Sequence, residues 1–474
     1  KPSNKNIVGC KWVFKVKRNE NGDISRYKAR LVAKGFSQQY GVDYTDTFSP
    51  VVRQANFRLL LALAVELNLK ADHWDVECAF LNGDLNCEIY MTQPEGCVVP
   101  GSEDKVCLLK KSLYGLKQSS RQWYAKASRV FSDLGFSQSK IEPCIFYKST
   151  RDSLMIVAVW VDDFFVFYND AKQMKNVKDK LHDNFAMRDL GPLSHCLGMK
   201  IERNGDTLKV SQENYIDQIL KKFGMVDAKP VNTPMEQNKK FSDEGEKVEN
   251  VPYQQLIGCL MWLTVSCRPD IAFVATYLSQ FNNNHSMEHW LAAKRVLKYL
   301  KATKDKGLIF KKSGEKFVGF VDSDYANDPV DRRSFTGFVF KLASGAVSWE
   351  CSKQKTVTLS STDAELTALV EGTKEAIYFK DLLEELLGSL SKKFVNGPVV
   401  LFNDNQSAKK KAVNNEYSKR TKHIHVKSCF LKEQIDQNVI KILYMPTDDL
   451  VADVFTKPLG KIKFLKFVND LNVK

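Results

Sequence analysis

The chain has 474 residues, enough for about two to four domains with cores of their own, and its 43% hydrophobic and 27% charged residues are those of an ordinary globular protein. A formal net charge of +14 sits beside 56 acidic residues, so the basic excess is spread over a folded surface and points to a polyanionic partner. No apolar run approaches the ~20 residues of a membrane span, and eleven scattered cysteines without a Cys-x-x-Cys pair argue against a disulfide framework or zinc finger and suit a reducing cytosol or nucleus.

The opening Lys1-Pro2-Ser3-Asn4-Lys5 is no signal peptide and lacks an initiator Met, so the chain reads as a piece of something larger. Residues 12–16 and 30–33 alternate apolar and polar around an Asn21-Gly22 turn signal, which predicts a hairpin. Helical spacing follows over 57–69 and 119–134, and 156–167 is a strand-like run interrupted by two acids. Residues 211–223, 255–281 and 289–300 are helical in pattern, with a polar loop expected over 235–250. Beyond Gly307 the pattern turns to strands at 316–321, 336–341 and 346–349, a helix over 364–387, a strand at 399–402 and another helix. That alternation predicts a separate α/β unit with a boundary near residue 310.

The most informative segment is Trp160-Val161-Asp162-Asp163, set inside apolar residues on both sides. Burying ionised carboxylates costs several kcal/mol, on the order of 3 or more, unless a cation or tight hydrogen bonds compensate. A plain hairpin turn would also hold two acids, but such turns usually add Gly or Asn, and neither is present. Asp75, in a run that begins as a strand and ends at Gly83, is the acid that would complete a divalent-metal site; alone it reads as a solvated strand end. Together Asp75, Asp162 and Asp163 suit a pair of Mg²⁺ ions stabilising the attacking and leaving oxygens of a phosphoryl transfer.

Trp160-Val161-Asp162-Asp163 resembles the Tyr-x-Asp-Asp motif of reverse transcriptases, with Trp for Tyr. Lys28-Ala29-Arg30-Leu31-Val32-Ala33-Lys34-Gly35-Phe36, Asp75-Val76 with Ala79-Phe80-Leu81-Asn82-Gly83, Leu113-Tyr114-Gly115-Leu116-Lys117-Gln118, Ile257-Gly258-Cys259-Leu260-Met261 and Arg268-Pro269-Asp270 resemble the copia-type retrotransposon Pol polyproteins, in order and nearly end to end. The resemblance implies an α+β and α/β multidomain chain: a right-hand polymerase with fingers and palm over 1–200, thumb or connection over 201–310, and a ribonuclease H-like domain over 311–474. It assigns Asp75, Asp162 and Asp163 to the catalytic metals and Phe80 to the residue that crowds the ribose 2′ position, although Phe80 also reads as an ordinary core residue. Arg18, Lys28, Arg30 and Gln118 would meet the incoming nucleotide, though single basic residues on a strand are as often solvated. Trp160 and Leu197-Gly198-Met199 would contact template and primer end.

A second set of acids lies beyond residue 310. Asp322 falls within a strand pattern, Glu365 in the first turns of a helix started by Ser360, Asp404 at a strand end and Asp453 at a short helix start. Singly, such acids are more often caps or exposed residues; four at element ends of an open α/β sheet favour a metal cluster. The quartet resembles the Asp, Glu, Asp, Asp set of the ribonuclease H fold, which implies two-metal hydrolysis of the RNA strand of a hybrid. Mg²⁺ is the expected cofactor, two per site, with Mn²⁺ able to substitute. Expected partners are an RNA template, a DNA primer, the RNA/DNA hybrid, dNTPs and other Pol or Gag products in a cytoplasmic virus-like particle or the nucleus, with no membrane.

His423 and His425 would share one face of a strand, with no nearby Cys or acid to complete a zinc site, so surface or RNA contact is the better reading. Basic residues from Lys409-Lys410-Lys411 to Lys419-Arg420-Thr421-Lys422 suit phosphate contacts, or a solvated face. A catalytically silent, domesticated or subunit form that only binds nucleic acid is the competing reading; all seven acids being present favours activity.

Overall fold

The computed structural model describes residues 1–18, 23–414 and 425–474; the hairpin tip at 19–22 and the basic segment at 415–424 lie outside the described residues, as do the side chains of Lys17 and Arg18. Two compact units result, one of residues 1–52 with 71–192 and one of 53–70 with 193–474. Packing thus divides the chain differently from the functional segments expected above. The helix Gln54–Glu66 is buried on nearly every face, so it needs an apolar surround that it finds in the second unit.

The first unit is built on a six-stranded sheet in the order Met187–Pro192, Lys70–Val76, Asp163–Tyr168, Leu154–Trp160, Ile145–Ser149 and Ser137–Gln138. The apolar run with two acids does fold as two buried strands, antiparallel, with Trp160 opposite Asp163 and Val161-Asp162 as the turn. Helix Ser119–Asp133 lays Trp123, Ala127, Val130 and Phe131 on this sheet, the spacing of a single helical face. The predicted hairpin is present as Cys10–Arg18 against Ile24–Ala33, with much of its surface exposed.

Two motifs separated in sequence meet behind that hairpin. A Cβ on Gly35 would lie 2.0 Å from the Gly115 carbonyl oxygen, and one on Gly115, whose φ is +91°, would lie 2.2 Å from the Ala33 oxygen. Only glycines allow these backbones to touch. The Ala33 N–H then donates to the Tyr114 carbonyl at 2.8 Å.

In the second unit, residues 195–211 and 308–311 form a four-stranded antiparallel sheet that the sequence pattern did not show, because its strands are only two to six residues long. The helical stretch read over 255–281 is two helices, Tyr253–Ser266 and Ala272–Ser279, broken where Arg268-Pro269-Asp270 intervenes. Pro269 lacks a backbone donor, and Arg268 and Asp270 pair in full burial. Residues 235–250 carry no helix or strand, as expected, but Met235 and Phe241 are buried. Arg58 on the buried helix donates to the carbonyls of Val347, Val265 and Ser266 and stacks on Trp349 at 3.8 Å; burial lowers its guanidinium to about 9.

The α/β pattern beyond Gly307 folds as a five-stranded sheet in the order Gly345–Lys353, Phe335–Leu342, Val318–Asp324, Val399–Asn403 and Ile440–Tyr444. The first three strands run antiparallel and the last two parallel to Val318–Asp324 and to each other. Helix Ser361–Leu387 covers this sheet, started by the Ser360 hydroxyl accepting from the Asp363 N–H.

Candidate active sites

In the first unit Asp75 belongs to Lys70–Val76, while Asp162 and Asp163 form the turn and first strand residue beside it. The Val76 N–H donates to the Asp162 carbonyl at 2.8 Å, and the Trp123 indole N–H donates to the Val161 carbonyl at 2.6 Å. These bonds hold Val161 at φ +54°, a left-handed conformation that costs a β-branched residue about 1–3 kcal/mol. Burial, and then the neighbouring Asp163 and Asp75 carboxylates, push the Asp162 carboxyl up. The three acids therefore share one electrostatic environment. Among the described residues the close acid trio lies elsewhere, and Asp163 meets His73, with Nε2 to Oδ1 at 2.6 Å.

Basic side chains face these acids. The Lys28 ammonium favours the ionised form of Asp162. The Arg30 guanidinium lies 5.4 Å from the Tyr114 ring centre, and Asp162 acts on that same phenol. Lys28 and Arg30 are two apart on one strand and so share its face. Phe80 meets Tyr114 edge-on at 5.2 Å and lines a cavity of about 100 Å³ with Val161 and Trp123. Gln118 is buried and bonds the Asp43 carbonyl and the Gln38 side chain, so its amide braces the Gly115 loop. Arg18 lies where side chains are not described. Trp160 ends its strand half-buried. In the second unit Leu197-Gly198 is a two-residue hairpin turn with φ +50° and +72°, and Met199 is buried behind it.

The second quartet converges. Asp322, Glu365 and Asp404 each bring an oxygen to within 4.8 Å of the others. Asp322 sits in Val318–Asp324, beside the strand Val399–Asn403 that ends at Asp404, and Glu365 reaches them from the first turns of its helix. The Asn403 amide donates to Glu365 at 2.9 Å, the Thr456 hydroxyl to Asp322 at 2.5 Å and the Thr447 hydroxyl to Asp404 at 2.6 Å. Burial, followed by the Asp322 carboxylate, pushes Glu365 well above the usual carboxylate range and raises Asp404. The same causes carry Asp453 to about 6.

Asp453 is fully buried in the turn Val451–Phe455, which rests on Gly337; a Cβ there would meet Phe455 and Thr456 at 2.7 Å. Asp453 is paired with Lys457 at 2.8 Å and Lys463 at 2.7 Å.

Sequence reasoning missed His73, Asn403, Thr447, Thr456, Lys457 and Lys463. Two had a local signal: His73 precedes Asp75 by two on the same strand, and Lys457 follows Asp453 by four. His425 begins the helix His425–Asp436, correcting the strand expected there. Cys429, one turn on, lies 3.6 Å from its ring, so a Cys is nearby after all. His423 and Lys419-Arg420-Thr421-Lys422 lie outside the described residues; no metal-ligand trio includes His425 among the described residues. Lys409-Lys410-Lys411 lie in the helix Gln406–Asn414. None of the eleven cysteines is disulfide-bonded, and no helix among the described residues is long and apolar enough to cross a membrane.

Residues 1–237 match the family described as reverse transcriptase (RNA-dependent DNA polymerase). The chain is 40% identical to the Retrovirus-related Pol polyprotein from transposon TNT 1-94 of Nicotiana tabacum over 98% of its own length and 35% of that polyprotein, so it spans about a third of this relative. A putative Ty5-1 transposon protein of Saccharomyces cerevisiae is 31% identical, over 64% of this chain and 99% of its own. A solved ribonuclease H1 isolated from compost is 16% identical over 30% of this chain and 92% of that protein, with a TM-score of 0.23, too slight a likeness to bear on the fold. The chain belongs to the reverse transcriptase (RNA-dependent DNA polymerase) family, with Pol polyproteins of copia-type transposons among its relatives.

Proposed function

We propose that this chain copies RNA into DNA at the Asp75, Asp162 and Asp163 site and cleaves the RNA strand of the resulting hybrid at the Asp322, Glu365, Asp404 and Asp453 site. The observation that carries the reading is the presence of two separate carboxylate sites, one in each compact unit, each with basic groups beside it. The strand order of the second unit, three antiparallel strands followed by two parallel ones, matches the ribonuclease H-like reading of its acids.

Both sites fit divalent metal. Asp162 is raised by two neighbouring carboxylates, and Asp322, Glu365 and Asp404 converge in burial, which is costly for anions without a cation. Mg²⁺ bound by these acids would neutralise charge developing on the reacting phosphate. In the first unit, Lys28 and Arg30 bind the triphosphate, and Phe80 closes the wall against a 2′-hydroxyl. In the second, Asn403, Thr456 and Thr447 fix the directions of Glu365, Asp322 and Asp404 by donating to them. Template, primer, hybrid and dNTPs are the partners this chemistry requires, and a virus-like particle would be its setting.

The test is primer extension on an RNA template with Mg²⁺, run beside cleavage of a labelled hybrid. Asp162→Asn should abolish extension and spare cleavage, and Asp404→Asn should do the reverse. A native chain that binds template–primer but does neither would be a nucleic-acid-binding subunit.

A further inference from the structure

The pairing of Asp453 reaches beyond the reading above, on which it rests. Its carboxylate is wholly buried, and Lys457 bridges it to Asp322, at 2.8 Å to the first and 3.6 Å to the second. Lys463 holds the other Asp453 oxygen at 2.7 Å. Asp322 thus faces two niches. On one side it converges with Glu365 and Asp404; on the other it shares an ammonium with Asp453.

We propose that the Lys457 ammonium holds the place of a second divalent cation, so that the quartet binds one ion beside Asp322, Glu365 and Asp404 and takes another between Asp322 and Asp453 only when Lys457 withdraws. Charge supports this. Two ammoniums and one dication balance the four carboxylates of the quartet, and a second dication would leave the pocket positive until a phosphate enters. Space supports it too. Asp453, Lys457, Lys463 and Asp324 line a cleft of about 1090 Å³, and the Lys457 side chain is 29% exposed, so the ammonium can swing outward without crossing packed core.

The experiment counts Mn²⁺ ions bound to the full chain by electron paramagnetic resonance of the free ion, with Asp162→Asn and Asp163→Asn present to weaken the first site. One tight ion is expected with Lys457 intact. Adding Lys457→Gln should bring a second ion of comparable affinity, a tightening of at least about tenfold, or 1.4 kcal/mol, for that ion. Two equally tight ions with Lys457 intact overturn the proposal, as does a count of one in a Lys457→Gln protein that melts like its parent. Lys457→Met, which keeps the aliphatic stem, takes its place if the Gln variant does not fold. No bound ion at all would instead overturn the reading of the quartet as a metal centre.

Discussion

The Asp162 turn is held from two sides, by the Val76 N–H on the Asp162 carbonyl and by one indole on the Val161 carbonyl. Trp123 is buried between Phe164 and Phe185 and donates to the Val161 carbonyl, the one residue of the turn with an unfavourable backbone. Trp123→Phe keeps most of the packing and removes that donor, leaving a half-buried carbonyl unpaired. The expected loss is about 1–3 kcal/mol in denaturant unfolding of the first unit, with slowed primer extension and unchanged hybrid cleavage. At Gly337 the reverse selectivity is expected. An added methyl would press on Phe455 and Thr456 and displace both the Asp453 turn and the Thr456 hydroxyl on Asp322. Gly337→Ala should therefore lower cleavage at least about tenfold while extension persists, as a paired assay would show.

Between helices, the Arg268-Pro269-Asp270 segment acts as a buried clamp. Arg268 grips Asp270 through Nε and Nη2, at 2.9 and 2.8 Å, and donates to the Thr303 carbonyl. The Tyr299 hydroxyl donates to Asp270 at 2.6 Å, so the helix Met287–Ala302 is joined to the break between two others. Removing one partner strands a charge in the core, and Arg268→Ala should cost about 3–5 kcal/mol by urea denaturation of the second unit. At the start of Met287–Ala302, the Ser286 N–H donates to His289 Nδ1 at 2.9 Å, closing a capping box that requires a neutral ring. Burial lowers the His289 imidazole below its ordinary 6.5, with the Glu288 carboxylate opposing. A depressed folded value means that this stability is present in full above pH 6.5 and is lost as pH falls through the lower value. His289→Gln, which can still accept from Ser286, should flatten that part of the melting temperature profile between about pH 7 and 5. An unchanged profile would place the acid sensitivity elsewhere.

For the chain as a whole, the excess of 14 positive charges should make nucleic-acid binding strongly salt-dependent through release of counterions. Template–primer affinity should fall by about a thousandfold between roughly 50 and 200 mM salt, measured by fluorescence anisotropy. A loss under about tenfold would mean that the basic surface does not grip phosphates.

The acids and their elements were legible in the sequence because two strong local signals coincide there. Apolar periodicity marks the strand or helix, and a carboxylate that interrupts it is costly without a cation, so Asp162 and Asp163 stand out by position, while Asp322, Glu365, Asp404 and Asp453 stand out only as a set at element ends. Glycine signals were less readable: Gly35 and Gly115 look like turn residues, yet both are needed because two backbones touch. Only the tertiary structure decided which acids gather and which are already paired. His73 meets Asp163 across 90 residues, Thr456 meets Asp322 across 134, and the buried helix Gln54–Glu66 sends Arg58 to Val347 across 289. Such contacts leave no periodic trace, since each partner's local pattern is satisfied with or without the other. That is why seven acids could be singled out and the copia-type family recognised from the chain, while the ammonium that sits between Asp322 and Asp453 could not.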